Sequence, residues 1–146
     1  MSLLLDASVV VALLGEEETS GRVDVVLDQA RDALIVTDFC VAEASAAVSR
    51  LRRIGIATGD RADRLLNDLD LWVATFAQAL SVTPEDISLA TDHVRRPDLV
   101  LRAPDAIHIA AAARLEATLV TLDRGMARAA ALLGLPCINP AETSAL

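Results

Sequence analysis

Four acidic residues stand where a chain could do chemistry with them. Asp6 follows Leu3-Leu4-Leu5, and Asp123 follows Thr118-Leu119-Val120-Thr121-Leu122. Each stretch reads as a buried apolar strand, then a carboxylate, then a helix. Two central parallel strands that end in Asp bring those carboxylates to one edge of the sheet, where open α/β sheets bind their ligands. Glu43 lies between Ala42 and Ala44 in a helix rich in small residues, and Asp105 follows Pro104 in the first turn of an Ala-rich helix. Carboxylates that converge in this way repel by on the order of a few kcal/mol per close pair, so something positive has to offset them. Ligation by oxygen alone suits Mg²⁺ or Mn²⁺, and no His/Cys set has zinc spacing. Each acid also has a purely structural reading. Asp6 can be a turn residue, Asp105 a helix-start residue, Asp123 a cap and Glu43 an ion-pair partner of Arg50 or Arg52.

Alternating strands and helices must position these acids. After the first strand, Ser8 is the expected N-cap of a helix over Val9–Leu14. A polar loop at 15–20 leads to a helix over Gly21–Arg31, and Ala33–Val36 reads as a second strand. Thr37-Asp38 caps a helix over Phe39–Ile54 that stops before Gly55. Thr58-Gly59-Asp60 opens another, ending at Trp72 or Phe76. Ala79–Val82 is a weakly marked strand. Thr83-Pro84-Glu85-Asp86 is a strong helix start, with a Thr cap, Pro in the first turn and acids beside it. That helix reaches Arg95, and Pro97 ends it. A helix over Ala106–Glu116 follows, then the strand Thr118–Leu122. A helix over Gly125–Leu133 stops at Gly134, and Pro136–Ile138 is a short last strand before an irregular tail. This order predicts an α/β fold, a three-layer α/β/α sandwich around a central parallel sheet of four to five strands. The chain reads as a single domain over 1–146, with a helical excursion at about 39–76.

Composition narrows the function classes. The chain has 146 residues, 53% hydrophobic and 23% charged, so a packed core is expected and disorder is not. All 13 basic residues are arginine, and there is no lysine. The net charge of −8 argues against broad electrostatic binding of nucleic acid, but leaves room for a local basic rim around an acidic pocket. Arg50, Arg52, Arg53, Arg61 and Arg64 form one cluster, and Arg95, Arg96 and Arg102 a second. They are candidates for phosphate contacts, against the plainer reading of a solvated face paired with Asp60, Asp63 and Asp68. Mean hydropathy of +0.44 suggests apolar surface reserved for partners. No run approaches the ~18–20 apolar residues of a membrane span. Asp6 interrupts the apolar N-terminus, and no secretory cleavage pattern follows it. Cys40 and Cys137 make no disulfide framework, so a reducing cytoplasm is the expected compartment.

Taken in order, four motifs resemble the PIN-domain ribonucleases, and most of all the VapC toxins of bacterial toxin–antitoxin pairs. These are Leu5-Asp6-Ala7-Ser8, Glu43 with Ala47, Pro104-Asp105-Ala106-Ile107-His108-Ile109-Ala110, and Thr121-Leu122-Asp123-Arg124. The resemblance covers essentially the whole chain, and Gly134-Leu135-Pro136 before a short strand also fits. It implies a nuclease in which Asp6, Glu43, Asp105 and Asp123 hold one or two Mg²⁺ or Mn²⁺ ions, supported by the hydroxyls of Ser8 and Thr121. It also implies RNA as substrate, a VapB-like antitoxin that blocks the acidic pocket, and a homodimer. Gly125 departs from the relatives that carry a further acid there. His108 reads as a packed, hydrogen-bonded core histidine rather than a general acid.

Other readings fare less well on the residues. A haloacid-dehalogenase-like phosphatase needs a second Asp where Ser8 stands, and a Lys. A receiver-like signalling domain also needs a Lys beside its acidic pocket. A PIN fold kept only for interactions would not need all four acids. A housekeeping PIN nuclease of RNA processing stays open on these residues.

Overall fold

The computed structural model describes residues 1–15 and 18–142. Part of the polar loop at 15–20 and the last four residues of the expected irregular tail lie outside the described residues. The three leucines of β1 (Leu3–Leu5) form the central strand, and all three are fully buried. Successive strand residues point to opposite faces. Accordingly Leu3 and Leu5 join one core cluster with Val36 and Val120, and Leu4 joins the other with Ile35 and Leu119. Both faces of the sheet are therefore covered, which is why the strand needs an unbroken apolar run rather than an alternating one. Each fully buried leucine contributes about 1.5–3 kcal/mol.

Five parallel strands pair in the order β3-β2-β1-β4-β5, with β2 at Leu34–Thr37, β3 at Gln78–Leu80, β4 at Thr118–Val120 and β5 at Cys137–Ile138. Helices α1 (Ala7–Leu14), α2 (Ser20–Leu27), α3 (Asp38–Arg53) and α4 (Gly59–Phe76) supply one layer. Helices α6 (Ala103–Arg114) and α7 (Arg124–Leu132) cover the other face, and α5 (Pro84–Val94) packs on α6. Both α3 and α4 lie between β2 and β3, which is the helical excursion expected at about 39–76. No helix among the described residues is long and apolar enough to cross a membrane.

Several local expectations shift by a few residues, each for a visible reason. Helix α2 ends at Leu27 rather than Arg31, because the Arg31 N–H is committed to the Met1 carbonyl and the chain is turning into β2. Beyond Val120 the Thr121 N–H still reaches the Ile138 carbonyl, but the Leu122 and Asp123 N–H groups leave the sheet for the hydroxyls of Ser8 and Thr121, and the strand ends. Strand β3 stops at Leu80, and the Val82 N–H reaches Asp38 Oδ1. Gly55 and Gly134 follow the ends of α3 and α7 with φ of 76° and 70°, the left-handed backbone that glycine adopts without steric cost. The start of α5 is as read, with Thr83 and Asp86 each capping the other's backbone.

Strand order also fixes where a ligand can sit. The chain leaves β1 toward β2 on one side and leaves β4 toward β5 on the other. The two connections diverge, and a crevice opens beyond the carboxyl ends of β1 and β4.

Candidate active site

Asp6 occupies that crevice and is also the N-cap of α1; its Oδ1 accepts the Val9 N–H at 3.1 Å. Ser8 was the expected cap, but the helix starts one residue earlier than Ser8 and leaves its hydroxyl free to reach across the sheet. Ser8 Oγ donates to Asp6 Oδ1 at 2.6 Å and accepts the Leu122 N–H at 3.0 Å. Thr121 Oγ1 mirrors it, donating to Asp6 Oδ2 at 2.7 Å and accepting the Asp123 N–H at 3.0 Å. Each hydroxyl thus spends its one proton on Asp6 and is itself oriented by backbone after β4. A carboxylate has about four acceptor positions. Three are taken, and the one left is on Oδ2. Burial pushes the Asp6 carboxyl above its ordinary pKa; hydrogen bonds from Ser8 and Thr121, the imidazole of His108 and the Val9 N–H pull it back only in part.

Asp123 is the N-cap of α7, with Oδ1 accepting the Met126 N–H at 2.8 Å. A Cβ at Gly125 would stand 3.2 Å from that same Oδ1, so the missing side chain leaves the carboxylate room to cap. Asp105 sits in the first turn of α6, where Pro104 gives up no useful N–H. Glu43 lies on α3 and hydrogen-bonds His108 Nε2. His108 is buried, as read, with Phe39 at a ring-centroid distance of 5.4 Å. Since a carboxylate only accepts, the proton between them is assigned to Nε2, and Nδ1 is buried with no hydrogen-bond partner among the described residues.

All four acids line one cavity of about 120 Å³, together with Ala7, Ser8, Arg102, His108 and Met126. Three helices begin at it, since Asp6, Arg102 and Asp123 are the N-caps of α1, α6 and α7. Their positive dipole ends favour the carboxylates. Buried Cys40 is not part of the chemistry: burial, then the charges of Asp6 and Glu43, push its thiol far above the range in which a thiolate forms.

Arg102 has partners that the sequence did not show. It reads as part of a basic rim, yet it reaches into the acids. Its Nε stands 3.2 Å from Asp105 Oδ2, its Nη2 3.3 Å from Asp105 Oδ1, and the same Nη2 3.7 Å from Asp123 Oδ2. The available signal was its place three residues before Asp105 at a helix start, a spacing at which cap and third residue meet. The other arginines are not at the cavity. Arg50, Arg52 and Arg53 are exposed in the last turn of α3, with Arg52 3.5 Å from Asp63. Arg95 and Arg96 are exposed, and Arg96 pairs with Asp98 at 2.7 Å.

The donor chemistry fits a hard divalent cation, since four carboxylates face one cavity and a cationic guanidinium already stands between two of them. As they stand, however, no group of three or more His, Cys, Asp or Glu side chains among the described residues is arranged to hold a metal ion. Glu43 is turned to His108, and Asp105 and Asp123 to Arg102.

The PIN domain family model matches residues 3–132. The chain belongs to the PIN domain family. None of the curated proteins matches it by sequence. Solved structures share its fold. FitAcB from Neisseria gonorrhoeae superposes with a TM-score of 0.75 at 21% identity, over 97% of this chain and 99% of that one. VapBC2 from Rickettsia felis, bound to a DNA fragment from their promoter, gives 0.71 at 14% identity, over 95% and 98%. VapC20 from Mycobacterium tuberculosis, described as a sarcin–ricin loop cleaving toxin, gives 0.66 at 16% identity, over 91% and 95%. In this PIN domain the acids come from four separate elements, which only the pairing of β1 with β4 and the docking of α3 and α6 bring together.

Proposed function

We propose that this PIN domain is a divalent-metal-dependent endoribonuclease and the toxin of a toxin–antitoxin pair. The observation that carries the reading is the convergence of Asp6, Glu43, Asp105 and Asp123 on one cavity at the carboxyl edge of the sheet. These four would hold one or two Mg²⁺ or Mn²⁺ ions. A bound ion of this kind supplies Lewis-acid polarisation of the phosphodiester and of an attacking water. The chain's own part is to orient the acids. Ser8 and Thr121 fix the Asp6 carboxylate at the cavity and leave one acceptor position on Oδ2. His108 holds Glu43 through Nε2. Arg50, Arg52, Arg53, Arg95, Arg96 and Arg102 are the candidate phosphate contacts, which position RNA without reading its sequence.

Several neighbours of this fold are toxin–antitoxin assemblies, which supports an antitoxin partner. A VapB-like antitoxin covering the cavity, a homodimer and a cytoplasmic setting complete the proposal. The test is incubation of the purified chain with single-stranded and loop RNA in Mg²⁺, Mn²⁺ or chelator. Cleavage with either ion and none in chelator is expected. Cleavage that survives exhaustive chelation would overturn the reading. Replacing Arg50, Arg52 and Arg53 together should weaken RNA binding and lower its salt slope by about 2–3. An unchanged slope would leave those arginines as solvated surface.

A further inference from the structure

We propose that Arg102 is a built-in counter-ion of the acidic cavity, which holds Asp105 and Asp123 in the ion-free protein and is displaced when a divalent cation enters. The proposal rests on the reading of those two acids as metal ligands. Three observations support it.

First, one guanidinium touches both carboxylates, at 3.2 and 3.3 Å to Asp105 and 3.7 Å to Asp123. A shared cation between two acids is the arrangement a metal ion would otherwise supply. Second, the contacts are loose. They lack the 2.7–2.9 Å separation of charge-assisted hydrogen bonds, and the Arg102 side chain is 76% exposed. Third, Arg102 stands at the N-cap of α6, where the helix dipole is positive and disfavours a cation. Only the acids keep it there. A doubly charged ion gains twice the attraction from the same carboxylates and has no tether to the helix. Arg102, once released, is an exposed cation beside the cavity, free to take a phosphate.

The experiment measures Mn²⁺ affinity by calorimetry on the metal-free full chain for wild type, Arg102→Gln, Asp105→Asn and Arg124→Gln. Arg124 is an exposed arginine beside Asp123 that pairs with Glu142, so it controls for charge removed nearby without contact to the acids. Arg102→Gln should bind Mn²⁺ tighter by about tenfold or more, as expected for loss of one competing charge at contact distance in a partly solvated site. Arg124→Gln should change affinity by about twofold or less under screening salt. Asp105→Asn should weaken it. In chelator Arg102→Gln should melt lower than wild type, and it should gain more on adding Mn²⁺. The Arg102 Nε–H resonance, assigned by its loss in Arg102→Gln, should move to the position of a free arginine at saturating Mg²⁺.

Outcomes separate the two claims. Wild type that binds Mn²⁺ in an Asp105-dependent way, with unchanged affinity in Arg102→Gln, would overturn the counter-ion role and leave the metal site standing. An Arg102 resonance that stays put at saturating Mg²⁺ would do the same. Absence of any Mn²⁺ binding in all four proteins would overturn both.

Discussion

Helix α6 carries a carboxylate–guanidinium pair at each end, and the two could hardly be more different. At its C-terminal end Arg114 grips Asp86 with two parallel hydrogen bonds, Nε to Oδ1 at 2.7 Å and Nη2 to Oδ2 at 2.8 Å. Asp86 is 1% exposed, and its Oδ2 also accepts the Thr83 N–H. The cation there sits at the negative end of the helix dipole. At the N-terminal end Arg102 spreads over two acids at longer range, exposed, and against the dipole. Burial pushes the Asp86 carboxyl up, but hydrogen bonds and charge from Arg114, with Thr83, outweigh it and leave its pKa lowered. Near Asp6 the balance falls the other way, and the pKa is raised. The comparison teaches that an ion pair's bond geometry and its place on the dipole distinguish a clasp from a place-holder. Residue types alone do not.

The largest effect that would break the comparison is at the site. Asp6→Asn should reduce RNA cleavage by at least about 10²-fold, the scale of losing one charge-stabilising group. The melting temperature in chelator should stay equal or rise, because a neutral side chain tolerates that burial better and its amide can reverse the bond, donating to Thr121 Oγ1. A mutant that melts clearly lower in chelator and responds to metal as wild type does would make Asp6 structural. Next is the clasp. Arg114→Met leaves the buried Asp86 uncompensated and should cost about 3 kcal/mol, read as a drop of several degrees in Tm. Mn²⁺ affinity should not move, since Arg114 is at the far end of α6. Equal effects of Arg102→Gln and Arg114→Met on ion-free stability would erase the distinction.

A pH series sharpens the same contrast with a smaller effect. The folded-state pKa of Asp86 lies below its unfolded value. Its contribution is therefore fully present above the unfolded pKa, near 3.9, and is lost as pH falls through the folded pKa. The Tm difference between wild type and Asp86→Asn should be widest near neutral pH and close toward zero in strong acid. A difference independent of pH would show that the pair acts by packing and not by charge. The smallest effect concerns orientation. Thr121→Val removes the bond to Asp6 Oδ2 and leaves the Asp123 N–H without its acceptor. A loss of about 1–2 kcal/mol is expected in chelator melts, together with weaker Mn²⁺ binding. Unchanged Mn²⁺ affinity would show that Thr121 supports the turn and not the carboxylate.

Much of this was legible along the chain where neighbours in sequence are neighbours in space. The Thr83-Pro84-Asp86 start of α5 is a local pattern, and the structure reproduces it. The unbroken Leu3-Leu4-Leu5 run announces a strand buried on both faces. The carboxylates of Asp6 and Asp123 were legible as strand-end residues for the same reason. Ser8 was read as a cap because its partner Leu122 is 114 residues away. Glu43 was given Arg50 or Arg52 as local partners, whereas it meets His108 across 65 residues.

The sequence by itself therefore determined the elements, the parallel sheet they must build and the four acids, since hydrophobic period, caps and turn residues act over a few residues. Tertiary structure decided which polar atoms face which. The β1–β4 pairing set Ser8 and Thr121 on Asp6, the docking of α3 on the sheet turned Glu43 to His108, and the start of α6 put the exposed Arg102 within reach of Asp105 and Asp123. Those outcomes depend on distances between segments far apart in the chain. Charge and hydrogen-bond geometry fall off within a few ångströms, so no reading of residue order can rank such partners before the fold brings them together.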